Sequence, residues 1–468
     1  MAESLLSQWP NVLPPLHPTF RPAVLGNRAF RGEAARAGGV RLALALERDG
    51  GNVSVFEALL LPESHPEASS NLRYVERILK FLLWQKGGFR VSVAGPSDVV
   101  QHLAREYAPG GARAFDAEFF AKIYEQPRFI VQAVSFAELP QEREQGSAVG
   151  GHLEGCRIGF DAGGSDRKVA AVIDGKEVFS CEVVWEPKLQ SDPQYHFDGI
   201  DDSIRRAAAH LPRIDAIGVS SAGIYVNNRT MVASLFRKVP EADFEARIKG
   251  IYQDIAKKWG DVPLEVANDG DVTALAGALE LKDHSVLGIA MGTSEAAGYV
   301  NPQGLVTGWL NELAFAPVDY GADAALDSEW SGDTGTGVGY FSQDAVIRLA
   351  ARAGLELPDG SPGSKLKHVQ ELLLAGDARP RQIFETLGVY LGYGLLHYLD
   401  FYAVKHVLLL GRVTSGEGGS ILLSKAREVL ALEAPELSDA LRIHLPDEAT
   451  RRVGQSIAAA SLPRLKGH

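Results

Sequence analysis

The sequence predicts an α/β protein: two similar lobes facing a shared cleft, preceded by an N-terminal α/β layer. Apolar runs that end in glycine turns alternate with runs of helical spacing. A strand, glycine turn, strand unit occurs twice, at Ile158 to Lys176 and at Val286 to Val300, as a duplicated architecture requires. A polar stretch from Gln141 to Gly151 reads as a solvated linker and separates both units from the first 150 or so residues. At 468 residues the chain is too long for one ordinary core and calls for two or three domains.

Composition removes several classes of function. A formal net charge of −12 disfavours a sequence-independent grip on nucleic-acid phosphate, so no nucleic-acid partner is expected. The two cysteines, Cys156 and Cys181, have neither zinc-ligand spacing nor disulfide-scaffold density, and a reducing cytoplasm is the simplest compartment. The stretch Met1 to Pro10 lacks a basic segment followed by a long apolar core, and no run approaches a charge-free membrane span.

Along the chain, Pro10, Pro14, Pro15, Pro18 and Pro22 forbid a continuous helix or central strand, so residues 1 to about 35 are expected as a surface arm. Val40 to Leu46 and Val53 to Leu61, joined by Asp49-Gly50-Gly51-Asn52, read as a hairpin. Asn71 to Gln85 has helical spacing with Asn71 as its cap. Strands at Phe89 to Ala94 and Phe129 to Val134 and helices at Ser97 to Tyr107 and Phe115 to Tyr124 complete the layer. His17, His65 and His102 are isolated and read as local hydrogen-bonding groups. Farther on, Ala216 to Ser221 is a buried strand, Asp243 to Trp259 a helix, Leu264 to Asn268 a strand entering a helix, and His406 to Gly411 a buried strand after the helix Gln382 to Tyr402.

Chemistry is expected where these strands end. Asp161, Gly163, Gly164 and Ser165 form a turn that can present N–H groups to an anion, although the same residues serve an ordinary hairpin. Gly292 and Thr293 repeat that turn, and Gly411 and Gly416 flank a strand-to-helix junction able to receive a nucleotide. Asn268 and Asp269 stand where a strand enters a helix, a junction where Asp269 is either a plain N-cap or a carboxylate with a chemical role.

Taken together, residues 155 to 460 resemble the ROK family of bacterial sugar kinases and related regulators, within the actin-like ATPase superfamily. Asp161 to Ser165 resembles the family's first phosphate motif, Asp-x-Gly-Gly-Thr. Gly218 to Val226 is similar to its Gly-x-x-x-Pro-Gly segment, with Ala222 in place of Pro. Asn268 to Asp271 resembles the Asn-Asp-Ala-Asn run, and Gly308 to Phe315 the stretch that supplies a sugar-binding Glu and then a His. Leu387 to Leu396 and Val407 to Thr414 look like the helix and strand leading to the adenosine site.

The resemblance implies a two-lobed actin-like (ribonuclease H-like) fold with mixed sheets. Residues 1–150 would be a separate N-terminal domain, 151–267 the first lobe joined by a C-terminal helix at 448–462, and 268–447 the second lobe. It implies an ATP- and Mg²⁺-dependent kinase acting on a hydroxyl of a hexose or amino-sugar-like compound, with a homodimer as the family's common assembly. Asp269 would be the base. Asn268, Asp269 and Glu312 would bind sugar, and Asp161 would position Mg²⁺ through water. Gly163, Gly164, Ser165, Gly292, Thr293, Gly411 and Gly416 would hold the nucleotide.

The chain departs from the family pattern in two places. The stretch from Tyr320 to Ser342 lacks the family's Cys and His zinc ligands, Phe315 replaces the family His, and the closing Cys-x-Glu falls on Thr336 and Val338. No zinc site is expected. Asp166, and Ser294 with Glu295, stand at the two phosphate turns, where extra carboxylates repel a triphosphate unless Arg167, Lys168 or Arg412 offsets them. Alternatively these side chains point to solvent from hairpin tips. The kinase therefore has a rival: a regulatory sugar- or nucleotide-binding protein with little or no turnover.

Overall fold

A computed structural model describes residues 4–144, 150–164, 166–328, 330–445 and 448–465. The N-terminal layer holds strands β1 (Val40–Glu47), β2 (Val53–Leu60), β3 (Arg90–Ala94) and β4 (Ile130–Ala133) in the order β2-β1-β3-β4. Only the β3–β4 pair is parallel. Alternation in Leu42, Leu44 and Leu46 buries one face of β1 against the helix Ser70–Lys86, whose Ile78, Leu79, Leu82 and Leu83 recur at helical spacing.

The next sheet contains β5 (Cys156–Ala162), β6 (Asp166–Ile173), β7 (Lys176–Val184), β8 (Ala216–Ser221) and β11 (Leu264–Asn268), ordered β11-β8-β5-β6-β7. Strands β9 (Ile224–Val226) and β10 (Arg229–Val232) form a separate small hairpin between β8 and β11. The last sheet is β13-β12-β14-β15, from β12 (Val286–Met291), β13 (Glu295–Val300), β14 (His406–Leu410) and β15 (Arg442–His444). Each of these two sheets carries an antiparallel hairpin on one side and parallel strands on the other. All the parallel strands end on one edge of their sheet, so Asp161, Asn268, Gly292 and Gly411 stand at strand ends, where open α/β sheets place ligands.

The helix Glu448–Ala460 lies across β5 and β8. A Cβ on Gly159 would stand 1.9 Å from the Ser456 carbonyl oxygen, and one on Gly218 would stand 1.7 Å from that of Ala459. Glycine is therefore required at both strand positions for the helix to approach.

Several local expectations are corrected. The arm is extended only to Pro22. A 14-residue helix, Ala23–Arg36, follows with Val24, Phe30 and Ala34 fully buried. Its Arg and Gly content hid an apolar face. The arm packs into the second lobe: Ala23 N–H donates to the Val318 carbonyl at 2.9 Å, and Phe20 and Val24 join that lobe's core. Asn71 is not a cap. Its amide donates to and accepts from the Leu61 backbone at 2.9 Å, inside the helix Ser70–Lys86. The expected helix at 243–259 is broken by a π turn at Phe244–Ile248 before Ile251–Lys258. The linker is held down at its start, where Arg143 pairs with Val53 and Glu144 binds Arg48 and Ser54; residues 145–149 lie outside the described residues.

Candidate functional site

On the first lobe, Asp161 ends β5. Its carboxylate accepts the Ser220 hydroxyl at 2.8 Å and stands 4.0 Å from the Lys168 ammonium, which also pairs with Asp166 at 2.9 Å. Burial pushes the Asp161 carboxyl above the usual range, and Asp166 adds to the rise. Asp166 thus belongs to an ion-paired group within the turn and does not point to solvent from a hairpin tip. Arg167 is turned away, bonding Ser203 at 2.7 Å and Asp202 at 2.8 Å on the helix Pro193–Ala208, so it offsets no charge in the turn.

The turn itself is closely packed. Trp185 donates its indole N–H to the Gly163 carbonyl at 2.8 Å. A Cβ on Gly163 would come within 2.6 Å of the Asp166 carbonyl, and one on Gly164 within 2.7 Å of the Lys188 ammonium. The Asp166 carbonyl and the Lys188 side chain can approach this closely only because both residues lack a side chain. Ser165 lies outside the described residues.

At the end of β11 the two alternatives for Asp269 separate. The cap is Asn268, whose side-chain oxygen accepts Gly270 N–H at 2.8 Å while its amide donates to the Gly223 carbonyl at 2.8 Å. Asp269 is the first residue of the helix Asp269–Leu281 and takes a second, longer bond from Gly270 N–H, 3.0 Å. Its other carboxylate oxygen has no hydrogen-bond partner among the described residues. Burial pushes it up to about 6, the Asp161 charge adds to this, and the Lys188 charge opposes it.

Glu312 comes from the second lobe. Burial, then repulsion from Asp269, pushes it up to about 7. Its backbone is clamped by the N-terminal layer: Glu312 N–H donates to the Trp84 carbonyl and Asn311 N–H to the Gln85 carbonyl, both at 2.9 Å. The structure therefore brings Asp161, Asp269 and Glu312 into one electrostatically coupled group, with Lys188 beside it.

The second glycine turn is exposed at Thr293 and Ser294 and tied down at Gly292, whose carbonyl accepts Gln343 N–H at 2.8 Å. Gly411 has φ 94° and sits against Met291, so the β12 and β14 turns are neighbours. Gly416 has φ 64°, begins the helix Gly416–Glu433 and has open space where a side chain would be. Glu295 corrects the expectation of a solvent-facing side chain. It is 3 % exposed, accepts the Tyr398 hydroxyl at 2.9 Å, and is pushed up to about 8 by burial. It points into the second lobe's interior, where the Glu312 charge adds to the rise.

Where the zinc loop would lie, Asp333 is buried among Arg77 at 2.9 Å, Lys80 at 3.0 Å and Arg113 at 3.0 Å, all three from the N-terminal layer. Glu76 and Asp116 complete the network. Phe315 stacks on Trp84 with ring centroids 4.2 Å apart. The layer thus holds this loop with charge and aromatic stacking. Sequence reasoning missed Lys188, Asp271 and this ion network; for the network, the signal was a run of charged residues at apolar-flanked helix positions, Glu76, Arg77 and Lys80.

One observation suits a nucleotide phosphate: the Lys188 ammonium lies over the exposed Gly164 of the glycine turn. Among the described residues no group of three or more His, Cys, Asp or Glu is placed to hold a metal ion, and no helix is long and apolar enough to cross a membrane.

The two mixed sheets, each with antiparallel strands on one side and parallel strands on the other, make a two-lobed α/β fold. Among solved structures the chain is similar to the ROK hexokinase from Thermus thermophilus, at 18% identity and a TM-score of 0.52 over 65% of this chain and 97% of that one. It is also similar to a ROK family transcriptional regulator described as a homologue of the E. coli MLC protein, at 17% identity and a TM-score of 0.52 over 73% of this chain and 83% of that one. No protein-family model matches the sequence, and no curated protein matches it significantly. The fold is that of the ROK proteins.

Proposed function

We propose that the chain is a ROK-type kinase that transfers the γ-phosphoryl group of ATP to a hydroxyl of a hexose or amino-sugar-like acceptor. In this reading 151–267 with the C-terminal helix form the first lobe and 268–447 the second. One observation carries it: with Asn268 as the helix cap, one Asp269 carboxylate oxygen is without a hydrogen-bond partner among the described residues and lies within the field of both Asp161 and Glu312.

Asp269 accepts the proton of the acceptor hydroxyl as its oxygen bonds to phosphorus and the bond to the β-phosphate oxygen breaks, a role worth typically ~10²–10⁴-fold. Its raised pKa of about 6 keeps it ionised at neutral pH while making it a better base than an exposed carboxylate. Glu312, and to a lesser degree Asn268, whose amide is already committed to the cap and to Gly223, orient the acceptor's hydroxyls. Gly163, Gly164, Gly292 and Thr293 hold phosphates through backbone N–H groups, with Gly411 and Gly416 on the nucleoside side. Mg²⁺, held by Asp161 through water, would offset the phosphate charge.

The test is calorimetric titration with Mg-ATP followed by an ADP-release screen over a panel of sugars. Heat and sugar-dependent ADP release support the kinase; absence of both at millimolar nucleotide rejects it. The second reading, a sugar- or nucleotide-binding protein without turnover, is favoured by Phe315, an apolar ring at the position where the family has a hydrogen-bonding His. Heat without ADP release over the whole panel selects it.

A further inference from the structure

We propose that Lys188 is a catalytic residue of this cleft, the cation that meets the terminal phosphoryl group of the nucleotide between the Gly163-Gly164 turn and Asp269. The proposal rests on the kinase reading and adds to it a residue that none of the sequence motifs contains.

Lys188 lies on the short 3₁₀ turn Pro187–Leu189 that follows β7. That turn is fastened to the glycine turn by Trp185, whose indole bonds the Gly163 carbonyl at 2.8 Å, and to the first lobe by Glu186 N–H on the Tyr195 hydroxyl at 3.1 Å. From there the lysine side chain crosses directly over Gly164. A Cβ at Gly164 would stand 2.7 Å from its Nζ and 2.8 Å from its Cε. The close approach is possible because residue 164 is glycine.

Charge accounting singles this ammonium out. Lys168 takes both carboxylates of the turn, Asp166 at 2.9 Å and Asp161 at 4.0 Å. Arg167 is spent on the helix Pro193–Ala208. Arg412 stands on the second lobe, 3.2 Å from where a Gly363 Cβ would be. Lys188 is half-buried and has no carboxylate within 4.0 Å among the described residues, yet its field reaches Asp269. An ammonium without a carboxylate partner among the described residues, between the glycine turn and Asp269, is placed for an anionic ligand.

In the transfer step the acceptor oxygen bonds to phosphorus, the bridging P–O bond breaks with its electron pair leaving on ADP, and the acceptor proton goes to Asp269. Lys188 follows the peripheral oxygens of the transferred group, where Coulomb attraction in a partly desolvated cleft is strong.

The experiment compares binding of Mg-ADP with that of the non-hydrolysable β,γ-imido analogue of ATP, by calorimetry on the full chain, for wild type, Lys188→Ala and Lys188→Arg. Loss of a charge-assisted contact to the terminal phosphoryl predicts that Lys188→Ala weakens the triphosphate analogue by about 10- to 100-fold. ADP binding stays within about two-fold of wild type, and Lys188→Arg recovers part of the difference. Gly164→Ala, whose methyl occupies the lysine's path, should reproduce the loss. Equal effects of Lys188→Ala on both nucleotides, or none, overturn the proposal, as does a change confined to the pH profile, which would make Lys188 a positioning residue for Asp269. A wild-type chain that binds neither nucleotide rejects the kinase reading and this proposal together.

Discussion

The side-chain amide of Asn311 donates to the buried carboxyl of Asp271 at 2.9 Å, joining the Asn311-Glu312 stretch of the second lobe to the helix that begins with Asp269. Asp271 also accepts Tyr299 N–H at 3.0 Å, and the Tyr402 hydroxyl donates to the Asn311 oxygen at 3.0 Å. Asn311 has φ 52°, a left-handed conformation that Asn tolerates better than most residues. This chain of bonds fixes Glu312, the next residue, relative to Asp269. Asn311→Ala removes one of the two donors to Asp271 and the acceptor of the Tyr402 hydroxyl, and strains the backbone. It should destabilise by about 1–3 kcal/mol and raise the acceptor KM more than it lowers kcat. Thermal melts and acceptor titrations check this.

The pH dependence of the reaction follows from the base. Asp269, pushed up to about 6, accepts a proton only when ionised, so kcat/KM should fall on the acid side of about pH 6, roughly ten-fold per unit. In Asp269→Asn the residual rate should lack that limb. A pH-rate profile over both proteins measures it.

Stability should change with pH in the direction opposite to that of an ion-paired carboxylate. Asp269, Asp271, Glu295 and Glu312 are raised to about 6, 8, 8 and 7, burial being the first cause in each. Between the unfolded carboxyl range near ~4 and these values the folded chain holds protons that the unfolded chain has released, so stability falls as pH rises from about 4 to about 8. The ion-paired Asp333 and Asp400, both lowered, titrate below that window. Ligand-free melts should therefore give a higher Tm at pH 5 than at pH 8, and Asp269→Asn should raise Tm at pH 8.

The N-terminal layer is expected to be structural to the cleft. Removing Asp333 strands Arg77, Lys80 and Arg113 without their shared carboxylate in a buried setting. Asp333→Ala should cost about 3–5 kcal/mol by denaturant titration, whereas a double change of surface partners such as Lys257 and Asp254 should cost under about 1 kcal/mol.

Much of this was legible in the sequence because strand ends and glycine turns are local features. The hairpins at 40–60 and 158–176, the strand His406–Leu410, and the positions of Asp161, Asn268 and Gly292 at strand ends all follow from short-range patterns. Tertiary relationships were not legible. Lys188 reaches Gly164 from 24 positions away through a turn with no motif, and Asp333 finds its cations in another part of the chain. The helix Ala23–Arg36 was obscured by prolines that stop one residue before it, and Glu295 was misjudged because only packing against Tyr398 turns it inward.

The central claim is that Asp269 is the base of a phosphoryl transfer to a hydroxyl. Its most direct measurement is transfer of label from γ-phosphorus-labelled ATP to sugar acceptors by wild type and Asp269→Asn, with nucleotide affinity measured alongside. The account predicts labelled sugar phosphate from wild type, a rate lower by about 10²–10⁴ in the variant, and nearly unchanged nucleotide affinity. Wild-type transfer that survives Asp269→Asn at an undiminished rate would contradict it.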